Sequence, residues 1–135
     1  MSSTTMRRVR RKVEPAKPTI SILDAMEDDQ LFGTHFHDTE SWEAWKAFLA
    51  SLFGLPMDED QLCIFRECTN RQQPPEGGTT EAHLVCGRRG GKSYILATIA
   101  VYLAAFMDWK QYLARGERGT IMLIAADRKQ AREFV

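Results

Sequence analysis

Cysteine is scarce in this chain, and long apolar runs are missing from it. The three cysteines among 135 residues are too few, and odd in number, for a disulfide framework. The longest apolar run, 94–107, has 14 residues, whereas a membrane-spanning helix needs about 18 or more. No apolar core of a signal peptide follows the N-terminal arginines. These absences argue against disulfide-scaffold, secreted and membrane-spanning classes and favour a reducing, cytosol-like compartment.

Net charge of either sign is also lacking, yet the charges are unevenly placed. The formal net charge is zero, with 44% hydrophobic and 27% charged residues, which is ordinary for one globular domain. The local charges are +5 over 1–17, −9 over 18–60, zero over 61–80 and +4 over 81–135. This pattern predicts a disordered basic tail over 1–18, an acidic helical lead-in over 19–80 and a separate unit over 81–135. The tail is either simply solvated or a non-specific contact for nucleic-acid phosphates.

Two helices are expected in the lead-in. A helix is predicted from Thr39 to Phe53, because apolar residues recur there at helical spacing: Trp42, Trp45, Phe48, Leu49, Leu52 and Phe53. Gly54 and Pro56 supply its stop signal. A second helix is predicted over 59–68, with Asp58 as its N-cap and Gln61 three residues later. The prolines and glycines of 69–80 predict a loop.

The segment after that loop carries the pattern of a phosphate-binding site. Residues 82–86 predict a short buried strand, and a long apolar helix is expected over 92–113. Between them stands the glycine-rich run Gly87-Arg88-Arg89-Gly90-Gly91-Lys92-Ser93. A strand, a glycine-rich loop ending in Gly-Lys-Ser and a helix form the context of a phosphate-binding loop. Glycines let several backbone N–H groups converge on one anion, and the helix N-terminus adds its positive end.

Each residue of this loop has an expected role. The nucleotide-binding set is Gly87, Gly90, Gly91, Lys92, Ser93 and Tyr94. Lys92 is expected to reach the β- and γ-phosphates, and the Ser93 hydroxyl to hold Mg²⁺, so the expected cofactors are ATP and Mg²⁺. Arg88 or Arg89 would add a cation at the phosphates, which groups both with Lys92 as catalytic candidates. The alternative is a solvated arginine pair in a basic turn, since Cys86 occupies the first glycine position of the G-x-x-x-x-G-K-[ST] pattern.

The remainder of the chain extends the same pattern. Residues 120–126 predict a second buried strand, and Asp127 can cap a final helix. Residues 82–135 therefore predict a β–loop–α–β–α order, the opening of a parallel α/β nucleotide-binding fold. The helix over 92–113 is apolar on nearly all faces, so we expect it to be covered on most sides.

Three segments resemble one family of DNA motors. The run Val-Cys-Gly-Arg-Arg-Gly-Gly-Lys-Ser over 85–93 resembles the variant Walker A loop of the large terminase subunits of tailed bacteriophages, the ATPases that drive DNA packaging. The stretch 116–131 resembles the second conserved segment of that ATPase domain, and 65–71 resembles the approach to the loop. The resemblance extends over about residues 40–135.

This resemblance implies a fold, a set of partners and a location. The implied fold is the N-terminal part of a RecA-like, additional-strand P-loop NTPase of the α/β class, preceded by a helical segment. The implied partners are double-stranded DNA, a portal protein, a small terminase subunit and further copies in a ring, in the cytoplasm of the host and without a membrane. The family also uses a segment near the adenine, for which the candidates here are Gln61, Arg71, Gln72 and Gln73.

The sequence departs from the family pattern in its last part. The family's Walker B strand ends in Asp-Glu, whereas Asp127 is followed by Arg128, and the acidic cluster of the family's nuclease domain is absent as well. Since the central strands of such a sheet are also missing, we expect an incomplete sheet, as in a fragment or truncated product, with poor solubility and no ATP turnover alone. Two rival functions remain open. One is the N-terminal part of another DNA motor, such as a helicase, and the other is a non-catalytic protein that binds a partner through Trp42, Trp45, Phe48 and Leu52.

The spacing of cysteines and histidines argues against a structural zinc site. Cys63 and Cys68 are five residues apart, which is wider than in a zinc knuckle. His83 and Cys86 stand in the predicted strand that enters the loop. The remaining histidines, His35 and His37, flank a phenylalanine in a predicted loop.

Overall fold

The computed structural model describes residues 18–37 and 39–124. These residues contain α1 (Ile22–Glu27), a 3₁₀ turn (Gly33–His35), α2 (Thr39–Phe53), α3 (Glu59–Thr69) and α4 (Lys92–Ala105). No β-strand occurs in this part of the chain. The basic tail over 1–17 and the predicted helix after Asp127 lie outside the described residues.

The predicted α/β fold is wrong, because the described part of the chain is all-helical. Residues 82–86 and 120–124 are not strands, and within the described residues no neighbouring strand pairs with either segment. An apolar run forms a strand only where a ladder of hydrogen bonds satisfies its backbone. Both segments are instead open to solvent, with Val85 99% and Ile124 88% exposed. These residues therefore do not build the parallel sheet of a RecA-like, additional-strand P-loop NTPase.

Helices α2 and α3 confirm the predictions made from periodicity and capping. Helix α2 has the predicted bounds, Thr39–Phe53. It ends at Gly54, whose φ of +66° is a left-handed conformation that glycine adopts without steric cost. Helix α3 begins after Asp58, whose carboxylate accepts a 2.8 Å hydrogen bond from the backbone N–H of Gln61, and it ends one residue later than predicted.

Helix α1 lies in the acidic lead-in, N-terminal to the two helices that the sequence predicts there. Ser21 caps it, since its Oγ accepts a hydrogen bond from the backbone N–H of Asp24 and donates one to the Asp24 carboxylate. The inner face of α1 is buried, with Ile22 at 0% and Met26 at 2% exposure. Asp24 and Glu27 therefore lie on the exposed face of a packed helix.

One hydrophobic core joins the lead-in helices to α4. Its buried members are Ile22, Met26, Phe36, Trp45, Leu49, Ile95 and Tyr102. Lys46 of α2 adds a polar connection on the surface, with its ammonium 3.4 Å from the Glu27 carboxylate of α1 and 3.1 Å from that of Glu43. Burial alone lowers the pKa of Lys46, but its hydrogen bonds and charge interactions with Glu43 and Glu27 outweigh this effect and raise the pKa overall.

Helix α4 is shorter and more exposed than the sequence predicts. It ends at Ala105 instead of Leu113, because local side-chain bonds compete with the next helical turn. The Trp109 indole donates a 2.6 Å hydrogen bond to the Leu103 carbonyl, and the Asp108 carboxylate accepts one from the Lys110 N–H. The helix buries one side, that of Ile95, Thr98 and Tyr102, whereas other apolar residues such as Leu96 and Val101 are 43% and 51% exposed. The expectation that α4 is covered on most sides is therefore wrong.

Candidate phosphate-binding site

The glycine-rich run folds as a tight turn followed directly by a helix. The Gly90 N–H donates a long, 3.4 Å hydrogen bond to the Gly87 carbonyl, so Arg88 and Arg89 are the two central residues of a β-turn. Arg89 has a φ of +61°, an uncommon conformation for a residue with a side chain. The turn holds the two arginines on the surface, and only Gly90 and Gly91 separate them from the first residue of α4.

Gly91 links the turn to the helix in a conformation that only glycine fits. Its φ is +79°, and its carbonyl accepts the first helical hydrogen bond, 3.0 Å from the Ile95 nitrogen. A Cβ at this position would lie 3.0 Å from the Trp42 ring. The backbone N–H groups of the first helical turn lack intrahelical acceptors, as at every helix N-terminus. The end of α4 therefore presents free donors beside the turn.

The structure brings together the three cations predicted for this site. Arg88, Arg89 and Lys92 line one open depression of about 600 Å³. All three side chains are exposed, and no carboxylate of the described part of the chain lies within ion-pair distance of them. Three unpaired positive charges next to free helical N–H groups form an electrostatic environment that favours a multiply charged anion.

Two tryptophans of helix α2 contact the turn and the glycine that follows it. The Trp45 indole N–H donates a 2.9 Å hydrogen bond to the Gly90 carbonyl, and Trp45 itself is a buried core residue. The Trp42 ring lies against Gly91. The sequence pattern assigns both tryptophans to an apolar helix face, and no sequence signal links them to a loop 45 residues away. This contact is the part of the site that sequence reasoning missed.

The residues after Lys92 occupy different surroundings. Ser93 is exposed at the start of α4, so its hydroxyl is open to a ligand. Tyr94 is 40% exposed, and its other side faces the rings of Phe36 and Trp42, with centroids 5.4 Å and 5.9 Å away. This partial burial raises the pKa of the Tyr94 phenol. The Tyr94 ring therefore belongs to the aromatic cluster of Phe36 and Trp42, and it does not line the depression of the three cations.

The adenine candidates do not form a group with the loop. Gln61 is buried in α3, and the Gln72 carbonyl accepts a hydrogen bond from the Arg66 guanidinium. Gln73 lines a different open depression of about 520 Å³, together with Pro74, Pro75 and residues that follow α2. Arg71 is exposed. None of the four lines the depression of the three cations.

A metal site made of protein ligands alone is not present in the described residues. Within 18–37 and 39–124, no group of three or more His, Cys, Asp or Glu side chains is arranged to hold a metal ion. Cys63 and Cys68 are exposed, and Cys86 is partly exposed. The Ser93 hydroxyl is the one protein oxygen that the sequence pattern assigns to Mg²⁺, and Mg²⁺ commonly takes its other ligands from phosphates and water. The donor set therefore fits Mg²⁺ only as part of a magnesium–phosphate complex.

Comparison with known proteins identifies no family for this chain. No protein-family model matches the chain, and no curated protein or solved structure matches it. Among the described residues, no helix has both the length and the apolar character needed to cross a bilayer. The chemistry assigned to the turn therefore depends on its own residues and on the motif that they form.

Proposed function

We propose that the turn and first helical residues over 87–93 bind the phosphates of ATP together with Mg²⁺. The observation that carries this proposal is the convergence of Arg88, Arg89 and Lys92 on one open depression at the N-terminus of α4. A triphosphate carries several negative charges in a small volume, and guanidinium and ammonium groups form charge-assisted hydrogen bonds with its oxygens.

The residues take distinct parts in this proposal. The backbone N–H groups at the start of α4 bind one phosphate, assisted by the helix dipole. Lys92 and the two arginines neutralise the outer phosphates, and the exposed Ser93 hydroxyl is available to Mg²⁺. Mg²⁺ bound together with the nucleotide would supply charge neutralisation at the phosphates. The proposal requires these groups at one surface and is independent of a β-sheet, which the described residues do not contain.

We further propose, from the resemblance of 85–93 and 65–71, that the chain is the ATP-binding portion of a DNA-packaging ATPase like the phage large terminase subunits. On this proposal its partners are double-stranded DNA, a portal protein, a small terminase subunit and other copies of itself, in the cytoplasm of an infected bacterium. The non-catalytic alternative used the face of Trp42, Trp45, Phe48 and Leu52. Trp45 of that face is buried, and Trp42 and Phe48 are partly buried against the core, so most of the face is already used within the chain, which favours the nucleotide-binding proposal.

A titration with a fluorescent ATP analogue tests the binding proposal. Wild type is expected to bind methylanthraniloyl-ATP in the presence of Mg²⁺, saturably and with one site. Lys92→Ala is expected to bind at least about tenfold more weakly, because a charge-assisted hydrogen bond at the phosphates is lost. Unlabelled tripolyphosphate should compete, since the proposed contacts are to phosphates.

Lys110→Ala is the matched control for this titration. Lys110 is an exposed lysine past the other end of α4, and among the described residues its one hydrogen bond is that of its backbone N–H to the Asp108 carboxylate. Its removal deletes the same charge without touching the turn, so its affinity should equal that of wild type. Equal weakening by both substitutions would indicate non-specific attraction, and absence of binding by wild type would overturn the proposal.

A further inference from the structure

We infer that Trp45 is a positioning residue for the phosphate site, because its indole fixes the orientation of the peptide bond between Gly90 and Gly91. The indole N–H donates a 2.9 Å hydrogen bond to the Gly90 carbonyl from a side chain that is only 9% exposed. The inference rests on the proposed function, since it concerns how the same turn receives phosphate.

The orientation of this peptide decides whether the turn attracts or repels an anion. In a trans peptide the N–H and C=O point in opposite directions, and the chain has no cis peptide among its described residues. Because the Gly90 carbonyl points at Trp45, the Gly91 N–H points away from α2. No described backbone carbonyl accepts from that N–H. It is therefore available to phosphate together with the free N–H groups of α4.

The same peptide is unusually free to turn over. A peptide flip changes ψ of the first residue and φ of the second, and here both residues are glycines. Glycine occupies positive and negative φ about equally well, so the backbone itself offers little resistance to the flip. In the flipped state the Gly90 carbonyl, which carries partial negative charge, would replace the Gly91 N–H as the group facing the ligand. The flipped state would therefore bind phosphate poorly.

Trp45 supplies the contact that opposes the flip. Flipping breaks its hydrogen bond and leaves a largely buried indole N–H without a partner, which is unfavourable. The Trp42 ring adds a second restraint, since it lies against Gly91 and limits the space for movement. Helix α2 is packed into the core through Trp45 and Leu49. The lead-in helices thus act on the phosphate site through one side-chain hydrogen bond.

Trp45→Phe tests the inference, with Trp109→Phe as its matched control. Phenylalanine keeps an aromatic ring in the core and removes only the indole donor. Trp109 also donates its indole N–H to a backbone carbonyl, that of Leu103, but at the far end of α4. Loss of one hydrogen bond predicts that Trp45→Phe weakens Mg–ATP binding about three- to tenfold. Trp109→Phe should bind like wild type, and urea titration of both variants reports their folded fractions.

Nuclear magnetic resonance of the indole N–H groups separates positioning from a general loss of stability. In wild type, Mg–ATP should shift the Trp45 indole resonance and leave that of Trp109 in place, because only Trp45 is bonded to the turn. This measurement decides the question even if Trp45→Phe fails to fold. An unmoved Trp45 resonance at saturating Mg–ATP, or a folded Trp45→Phe protein with wild-type affinity, would overturn the inference while leaving the proposed function intact. Failure of wild type to bind Mg–ATP at all would overturn both.

Discussion

The Tyr102 hydroxyl donates a 2.7 Å hydrogen bond to the carbonyl of Ile20, 82 residues earlier in the chain. The Tyr102 ring is 1% exposed and lies between Phe53 of α2 and Phe106, with ring centroids 5.3 Å and 5.5 Å away. One side chain thus connects α4 to the segment that precedes α1 and to the end of α2. The turn of residues 87–90 lies just before α4, and this hydrogen bond anchors α4 near its other end.

Tyr102→Phe should destabilise the protein by about 1 kcal/mol, because it deletes one hydrogen bond and keeps the aromatic ring. The free energy of unfolding in urea measures this loss. Tyr94→Phe is the control, since the described residues offer the Tyr94 hydroxyl no hydrogen-bond partner and its deletion should change stability little. A Tyr102→Phe protein as stable as wild type would show that the bond to Ile20 does not hold α4.

Stability should fall as the solution becomes strongly alkaline. The pKa of Lys46 is raised above 10.5, since Glu43 and Glu27 outweigh burial, and the pKa of Tyr102 is raised above 10.0 by burial and by Asp24. A raised folded-state pKa means that stability is fully present below the unfolded pKa and is lost as pH rises through the folded value. The urea midpoint should therefore be lower at about pH 11 than at about pH 8, and this difference should be smaller for Tyr102→Phe. A urea midpoint that does not change between these two pH values would contradict the raised pKa values of Lys46 and Tyr102.

Two glycine substitutions at the start of α4 and in the preceding turn should change stability by very different amounts. Gly91→Ala should cost about 1–3 kcal/mol, because alanine is strained at positive φ and its Cβ would press on Trp42. Gly87→Ala should change stability by less than about 0.5 kcal/mol, since its Cβ would meet no atom within 4 Å. Urea denaturation measures both. Equal stability of the two variants would place Gly91 in a different conformation.

The exposed apolar residues should drive self-association. Val85, Met122 and Ile124 are 99%, 76% and 88% exposed, and exposed apolar surface promotes association. Replacing all three by serine should reduce binding of an environment-sensitive dye and raise the concentration at which association begins, with little change in the urea midpoint. Leu49→Ser, in the core, serves as the contrast and should unfold the protein. A large loss of stability in the triple variant would mean that these residues are buried.

The sequence was sufficient for the helices whose signals are local. The bounds of α2 follow from its apolar spacing and from Gly54, and the start of α3 follows from the Asp58 cap. Helix α1 could also have been predicted, because Asp24 follows the capping residue Ser21 by three positions at the start of a segment with several apolar residues. Its acidic composition concealed this signal.

The failures concern features that depend on distant partners. Short apolar runs such as 82–86 and 120–124 form strands only if another strand pairs with them. The residues of the run do not determine whether such a partner is present. The Gly-Lys-Ser motif supplies Lys92 of the candidate site, and the structure places Lys92 at the same open depression as Arg88 and Arg89, whereas phosphate binding there stays a prediction. The bond from Trp45 to Gly90 could not be predicted, since residues far apart in sequence meet there through packing of the core.

Mapping of backbone amide resonances during a titration with Mg–ATP tests the central proposal most directly. The account predicts saturable shifts at Gly91, Lys92 and Ser93, with Gly119 and the α3 amides unchanged, and the loss of these shifts in Lys92→Ala. Shifts spread evenly over all basic segments without saturation, or no shifts at Gly91 to Ser93, would contradict the assignment of this turn as the phosphate site.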